Sequence, residues 1–94
     1  MILQLVAVFD RASGVYDGPV PVKQLAQAIR QFKDMARNEQ SPISKHPEDY
    51  TLMHVGTWND SEGVVESKIP VKLMNGGEAL AESTPAPKLE SVDA

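Results

Sequence analysis

The chain begins with a run of apolar residues that predicts a buried β-strand. Between Ile2 and Phe9 only Gln4 is polar, so both faces of an extended segment would be apolar. We expect this strand to lie inside a sheet, with both faces covered or with one face covered by a partner. Asp10 and Arg11 end the run far short of the roughly 20 residues that span a bilayer, and no basic residue precedes it. The run is therefore predicted to be a strand, not a signal peptide or a membrane helix.

The next apolar pattern has helical spacing. It starts at Pro21, which suits the first position of a helix, and continues to about Glu39. Its apolar positions recur at steps of three and four: Val22, Leu25, Ala26, Ile29, Phe32 and Ala36. This stripe predicts one amphipathic helix, preceded by a turn and a short strand at Val15-Tyr16.

Two more strands are predicted in the second half of the chain. Residues 50–58 alternate between two faces, and residues 64–73 return as a second strand after a hairpin loop. Pro70 marks an edge or a break in the returning strand. One face of the first strand is predicted to hold Tyr50, Leu52, His54 and Trp58. The predicted core comprises Phe9, Leu25, Ile29, Phe32, Leu52, Val55 and Trp58.

These elements predict an α+β fold: an antiparallel sheet of three or four short strands with one amphipathic helix packed on a face. Residues 1–75 would form a single domain. Residues 76–94 carry few bulky apolar side chains and have a net charge of −3, so we expect a disordered acidic tail there.

Composition narrows the class of protein. At 94 residues without cysteine, the chain has neither disulfides nor a cysteine-based zinc site to stabilise it, so a homo-oligomer is expected. The absence of cysteine fits a reducing cytoplasm. The net charge of −4 argues against wrapping nucleic acid through bulk charge, but it leaves room for a local basic face.

The predicted helix carries such a basic face. Lys23, Arg30 and Arg37 are spaced seven residues apart and so align on one outward side, and Lys33 adds a fourth base. The functional interpretation is a surface that contacts phosphate or an acidic partner. The alternative is an ordinary solvated helix face, because several bases on one helix are common.

Other candidate residues lie between His46 and Trp58. One interpretation is a protein-contact loop that comprises His46, Glu48, Asp49 and Tyr50, and the alternative is a purely structural role for the same loop. A third interpretation is a metal-dependent hydrolase site formed by His46, Glu48 and Asp49. Tyr50, His54 and Trp58 could stack single-stranded bases on an open sheet, whereas core packing accounts for the same residues.

Enzymatic signatures are missing from the sequence. It has no glycine-rich phosphate loop, no nucleophile elbow, no paired histidines at helical spacing and no dinucleotide fingerprint. We therefore expect a binding protein without catalytic residues, metal or cofactor, and without a membrane segment.

Three strings together carry a family resemblance. They run from Val6 to Ala12, from Ala28 to Phe32, and from Ser44 to Asp60 with Gly63 behind. The combination resembles the small non-structural protein of microviruses of the gokushovirus type, which are tailless bacteriophages with single-stranded DNA genomes. The likeness covers residues 1 to about 73. Asn59 stands where that family often has an acid, and the tail is longer and more acidic than the family pattern requires.

The resemblance implies a role late in infection, in the host cytoplasm. The family is associated with the switch from double-stranded DNA replication to single-stranded DNA synthesis and genome packaging. The implied partners are the phage replication complex or procapsid proteins. If the protein also contacts single-stranded DNA, the first candidates to position on its phosphates are the helix bases Lys23, Arg30, Lys33 and Arg37. The alternative is a protein–protein adaptor that contacts no DNA. Residues alone leave this choice open.

Overall fold

Five antiparallel strands form one sheet in the computed structural model, which describes residues 1–83. The strands are β1 (Ile2–Asp10), β2 (Val15–Tyr16), β3 (Val20–Val22), β4 (Tyr50–Asn59) and β5 (Val64–Asn75). The helices are α1 (Leu25–Arg37), α2 (Pro42–Lys45) and α3 (Gly76–Ser83), with a single 3₁₀ turn at Pro47–Asp49. The sheet order is β2-β1-β4-β5, and β3 also pairs with β1. The predicted α+β class, antiparallel sheet and amphipathic helix are confirmed.

The core lies between one face of the sheet and the helices. Ala28, Phe32 and Ala36 recur every four residues along α1, and Phe32 and Ala36 are fully buried. Burying a phenylalanine side chain contributes about 1.5–3 kcal/mol, so Phe32 is a main anchor of α1 on the sheet. The buried core cluster comprises Val6, Val22, Ala28, Phe32, Ala36, Ile43, Leu52, Met74 and Ala79.

The predicted core is partly correct. Phe32 and Leu52 are buried, and Leu25 and Ile29 pack against the buried cluster with part of their surface exposed. The other three predicted members, Phe9, Val55 and Trp58, are partly exposed and lie outside that cluster. Phe9 instead packs against Tyr16, with ring centroids 4.8 Å apart.

The start of the helix differs from the prediction. Val22 is buried as expected, but it lies in β3, and α1 begins three residues later at Leu25. Pro21 occupies the middle of β3 rather than the first position of a helix. A proline disfavours helical geometry in the residue before it, and Val20 and Val22 are β-branched, so the short segment is better suited to an extended strand.

A β-bulge changes which side chains share a face of β4. Leu5 pairs with Gly56 while Val6 pairs with His54, so Val55 is an extra residue on β4. His54 therefore shares the face of Val6, which packs against the helices, whereas Trp58 lies opposite Leu3 on the other face. The prediction that Trp58 shares a face with Leu52 and His54 was wrong, because simple alternation does not survive the bulge.

The region from residue 76 to residue 83 also corrects the sequence analysis. The sequence predicts a disordered tail here, yet residues 76–83 form α3, in which Ala79 is fully buried against the core. The reason is a reciprocal capping box: the Glu78 backbone N–H donates to Asn75 Oδ1 at 2.7 Å, and the Asn75 N–H donates to Glu78 Oε1 at 3.0 Å. The predicted tail beyond residue 83 lies outside the described residues.

Gly76 is where α3 meets the rest of the protein. A Cβ atom on Gly76 would collide with the backbone carbonyl oxygen of Pro47 and lie 2.8 Å from the Pro47 Cα. Backbone atoms cannot move aside as a flexible side chain can, so only glycine allows α3 to approach this turn so closely.

Replacing Gly76 with alanine should therefore destabilise the protein. We expect Gly76→Ala to lower the free energy of unfolding by about 1–3 kcal/mol, the usual cost of overpacking, as measured by urea denaturation followed by circular dichroism. Gly18→Ala is the matched control, because a Cβ there meets nothing within 4 Å. Equal stability of the two variants would contradict the close packing of α3.

Candidate functional site

Two of the predicted basic residues line one shallow depression at the start of α1. Lys23 precedes the helix and Arg30 lies in its second turn, and between them the depression is lined by Gln24, Ala26 and Gln27. Both bases are exposed, and the first turn of α1 contains no acidic residue. A phosphate group placed there would meet two cations and two amide side chains, without a carboxylate among the lining residues.

The helix beginning adds to the positive character of this depression. Gln24, at the N-cap position, makes no side-chain hydrogen bond to the first turn. The first backbone N–H groups of a helix lack the usual partner four residues back, although the Gln27 N–H donates to the Gln24 carbonyl oxygen at 3.1 Å. The helix dipole favours negative charge at this end. Lys23 and Arg30 are therefore placed where the helix itself also attracts an anion.

The other two predicted bases have different surroundings. Arg37 lies at the last turn of α1, where its Nη2 donates to Asp34 Oδ1 at 2.8 Å. That exposed ion pair offsets the charge of Arg37, although pairs of this kind add little stability. Lys33 is partly buried on the same helix. The structure thus groups Lys23 with Arg30, while the role of all four in binding nucleic acid stays a prediction.

The predicted protein-contact loop is held by local structure. His46 ends α2, and its carbonyl oxygen accepts from the Asp49 N–H at 3.0 Å. Asp49 also accepts a hydrogen bond from the Arg11 side chain at 2.9 Å, and its carbonyl oxygen accepts from the Arg11 N–H at 2.8 Å. His46 and Glu48 remain exposed, whereas Tyr50 packs against the core. A contact role for this loop stays a prediction, with His46 and Glu48 its accessible members.

Within residues 1–83, no group of three or more histidine, cysteine, aspartate or glutamate side chains is arranged to hold a metal ion. None of the helices in this part of the chain is long and apolar enough to cross a membrane.

Among residues 1–83, His54 is a polar side chain that is buried, at 8% exposure. The Lys68 ammonium of β5 lies 3.3 Å from its Nδ1, and because an ammonium only donates, Nδ1 accepts and the ring proton sits on Nε2. Nε2 is buried without a hydrogen-bond partner among the described residues. Burial lowers the pKa of His54 below its ordinary value and Lys68 lowers it further, while a contact with the Gly56 backbone acts in the opposite direction.

Sequence reasoning missed some of these residues. The candidates from the sequence do not include Gln24 and Gln27, although steps of four and three from Lys23 to Gln27 to Arg30 predict one face for these three residues. The Lys68–His54 contact has no sequence signal, because it depends on the register between β4 and β5.

The fold and these surfaces define a small α+β protein with a basic depression at the start of one helix. The chain belongs to the family described as Phage ORF5 protein, whose family model matches residues 3–79. It is therefore a phage protein, and the match extends into α3, which supports including this helix in the folded unit. Comparisons with curated proteins and with solved structures found no match.

His54 should make stability depend on pH. Its pKa is lowered in the folded state, so between that lowered value and the unfolded value of about 6.5 the unfolded chain binds more protons. The stability that the neutral His54 contributes is therefore fully present above about pH 6.5, and this contribution is lost as the pH falls through the window.

We expect the urea midpoint of the wild type to fall between about pH 7.5 and 5.5, and we expect His54→Gln to flatten that fall. His46→Gln, which changes the exposed histidine, should keep the wild-type slope. A slope unchanged by His54→Gln would show that another group is responsible.

Proposed function

We propose that this phage protein is a non-enzymatic accessory protein that binds single-stranded DNA, acting in the host cytoplasm at the switch from double-stranded replication to single-stranded synthesis and genome packaging. The phage family membership supports the setting. The resemblance to microvirus small proteins supports the step in infection. The observation that carries the DNA contact is the depression lined by Lys23 and Arg30.

Charge considerations favour a local phosphate contact over extended wrapping. The whole chain has a net charge of −4, so long-range attraction to DNA is absent. At physiological salt the screening length is about 8 Å, so a phosphate in the depression interacts mainly with Lys23, Arg30 and the start of α1. Such contacts position a strand without reading its sequence, which fits a protein that handles a whole genome.

Aromatic stacking is a weaker support, and it would use a surface separate from the depression, whose lining residues do not include Trp58. Trp58 lies on the sheet face opposite the helices and is partly exposed, so it remains accessible to a base in a way that Leu52 and His54 are not. Stacking on an aromatic side chain is worth about 1–3 kcal/mol per base and tolerates any sequence.

The second candidate is an adaptor that binds a replication or procapsid protein and no DNA. It is favoured by the acidic net charge and by the loop at His46 and Glu48, whose side chains are exposed while Asp49 ties the backbone to Arg11. A fixed, exposed loop of this kind is pre-organised for a protein contact.

Fluorescence anisotropy with a labelled single-stranded oligonucleotide tests the proposal. We expect binding that weakens between about 50 and 200 mM salt, because each phosphate contact adds about 0.7 to the slope of log affinity against log salt for single strands. Arg30→Glu should weaken binding and reduce that slope by about 0.7, and Lys23→Glu should act in the same way.

Lys45→Glu is the matched control, since it makes the same charge change on an exposed residue of α2. Arg37→Glu should have a smaller effect than Arg30→Glu, because Asp34 already pairs with Arg37. If wild-type protein at tens of micromolar shows no binding at low salt, the DNA proposal fails. Equal weakening by Lys45→Glu and Arg30→Glu would locate the effect in bulk charge.

If DNA binding fails, affinity capture with phage replication and procapsid proteins tests the adaptor. His46→Ala/Glu48→Ala should then abolish capture, whereas Arg30→Glu should leave it intact.

A further inference from the structure

Strand β5 is the exposed edge of the sheet. It follows β4 at the end of the strand order, and each residue from Val64 to Lys72 is exposed. Several of its side chains are large and apolar, and Ile69 has the highest exposure among them at 85%. An edge strand carries unpaired backbone donors and acceptors that can pair with another strand.

The order of residues along this edge is self-complementary. Around Ser67 the side chains are in turn apolar, acidic, small, basic and apolar: Val65, Glu66, Ser67, Lys68 and Ile69. In an antiparallel pair of two such strands centred on Ser67, Glu66 of each copy lies opposite Lys68 of the other. Ile69, which is 85% exposed at the start of the bulge, adds an apolar side chain next to Val65 of the other copy. Opposite charges and apolar pairs in these positions stabilise a sheet.

We propose that the β5 edge pairs with the same edge of a second copy, forming a two-fold dimer with one continuous sheet. A two-fold interface uses the same patch on both partners, and this edge meets that condition by its own sequence. A lysine on an edge strand usually prevents pairing with another strand, because its charge would be buried without a partner charge. Lys68 is such a residue. The second copy supplies that charge through Glu66, which has no ion-pair partner among residues 1–83.

A bulge in β5 begins inside this segment, so the regular pairing of β5 with β4 runs from Val64 to Ser67 and is interrupted after it. His54 pairs with Val71 and Gly56 with Ser67, so Lys68, Ile69 and Pro70 lie opposite Val55 alone. Pro70 has no backbone N–H and ends a ladder. At the other end the chain turns at Gly63, which has a positive φ of 71°. The available edge therefore lies between these two residues, and its centre is near Ser67.

Charge-reversal variants test the pairing by sedimentation equilibrium. Wild-type protein should dimerise at concentrations up to about 1 mM. Lys68→Glu alone places Glu66 opposite an acid, and Glu66→Lys alone places Lys68 opposite a base, so each should dimerise at least about tenfold more weakly.

The decisive measurement is an equimolar mixture of the two single variants. In the mixed dimer each acid again faces a base, so dimerisation should return to near the wild-type level, detected as a heterodimer by native mass spectrometry. Lys45→Glu, the matched charge change outside β5, should dimerise like the wild type. Because Lys68 also contacts His54, Ile69→Asp provides a second probe at an exposed residue, and it should weaken the dimer without changing the circular dichroism spectrum.

A wild type that stays monomeric up to about 1 mM would overturn the proposal. So would single variants that dimerise as the wild type does, or a mixture no more dimeric than its components. Weakening by Lys45→Glu equal to that by Lys68→Glu would also overturn it, because the effect would then follow net charge.

Discussion

The pairing of β1 with β4 is the constraint on which the rest of the structure depends. It runs from Ile2 opposite Asn59 to Asp10 opposite Tyr50, and it is interrupted once, at the bulged residue Val55. That single extra residue sends Leu52 and His54 toward the helices and Trp58 to the opposite face. A slip of one residue would exchange the two faces of the strand, so the bulge decides both the core and the accessible aromatic surface.

The junction between β5 and α3 is the second feature that determines the fold, because it fixes where α3 begins. Several weak interactions there involve the same few residues. Asn75 and Glu78 cap each other, and Lys72 donates to the same Glu78 carboxylate at 3.2 Å. The Asn75 N–H, followed by Lys72, lowers the pKa of the Glu78 carboxyl below its ordinary value. These groups are exposed, so their ion pair contributes little by itself. Their effect is geometric: they start α3 at Gly76, which carries Ala79 into the core.

Local periodicity accounts for the parts of this structure that the sequence predicts well. The apolar run of β1, the stripe of α1 and the hairpin between β4 and β5 each depend on neighbouring residues only. Val22 fits the helical stripe as well as a strand, and the features that favour the strand are its β-branched side chain and Pro21 beside it, which disfavours a helix at Val20. The capping residues of α3 were present in the sequence, but Gly76 and Gly77 between them resembled a linker. The position of Trp58 depends on a bulge formed between distant strands, which no local pattern contains. For the candidate site, the seven-residue spacing predicts one face for Lys23, Arg30 and Arg37, whereas the depression is lined by Lys23 and Arg30 without Arg37. The Asp34–Arg37 pair could have been expected from its spacing of three.

The two proposed contacts reinforce each other through symmetry. When two edge strands pair antiparallel in one sheet, the two-fold axis is perpendicular to the sheet, so the same face of each copy points to the same side. Helix α1 packs on one face only, because Phe32 and Ala36 join the cluster that contains Val6. Both depressions lined by Lys23 and Arg30 would then lie on one side of the dimer. A single strand of DNA bound at the first depression would find the second at high effective concentration, which raises affinity without any new contact. Dimerisation before DNA binding would in this way raise the affinity for single-stranded DNA of an acidic chain that has two clustered bases per copy.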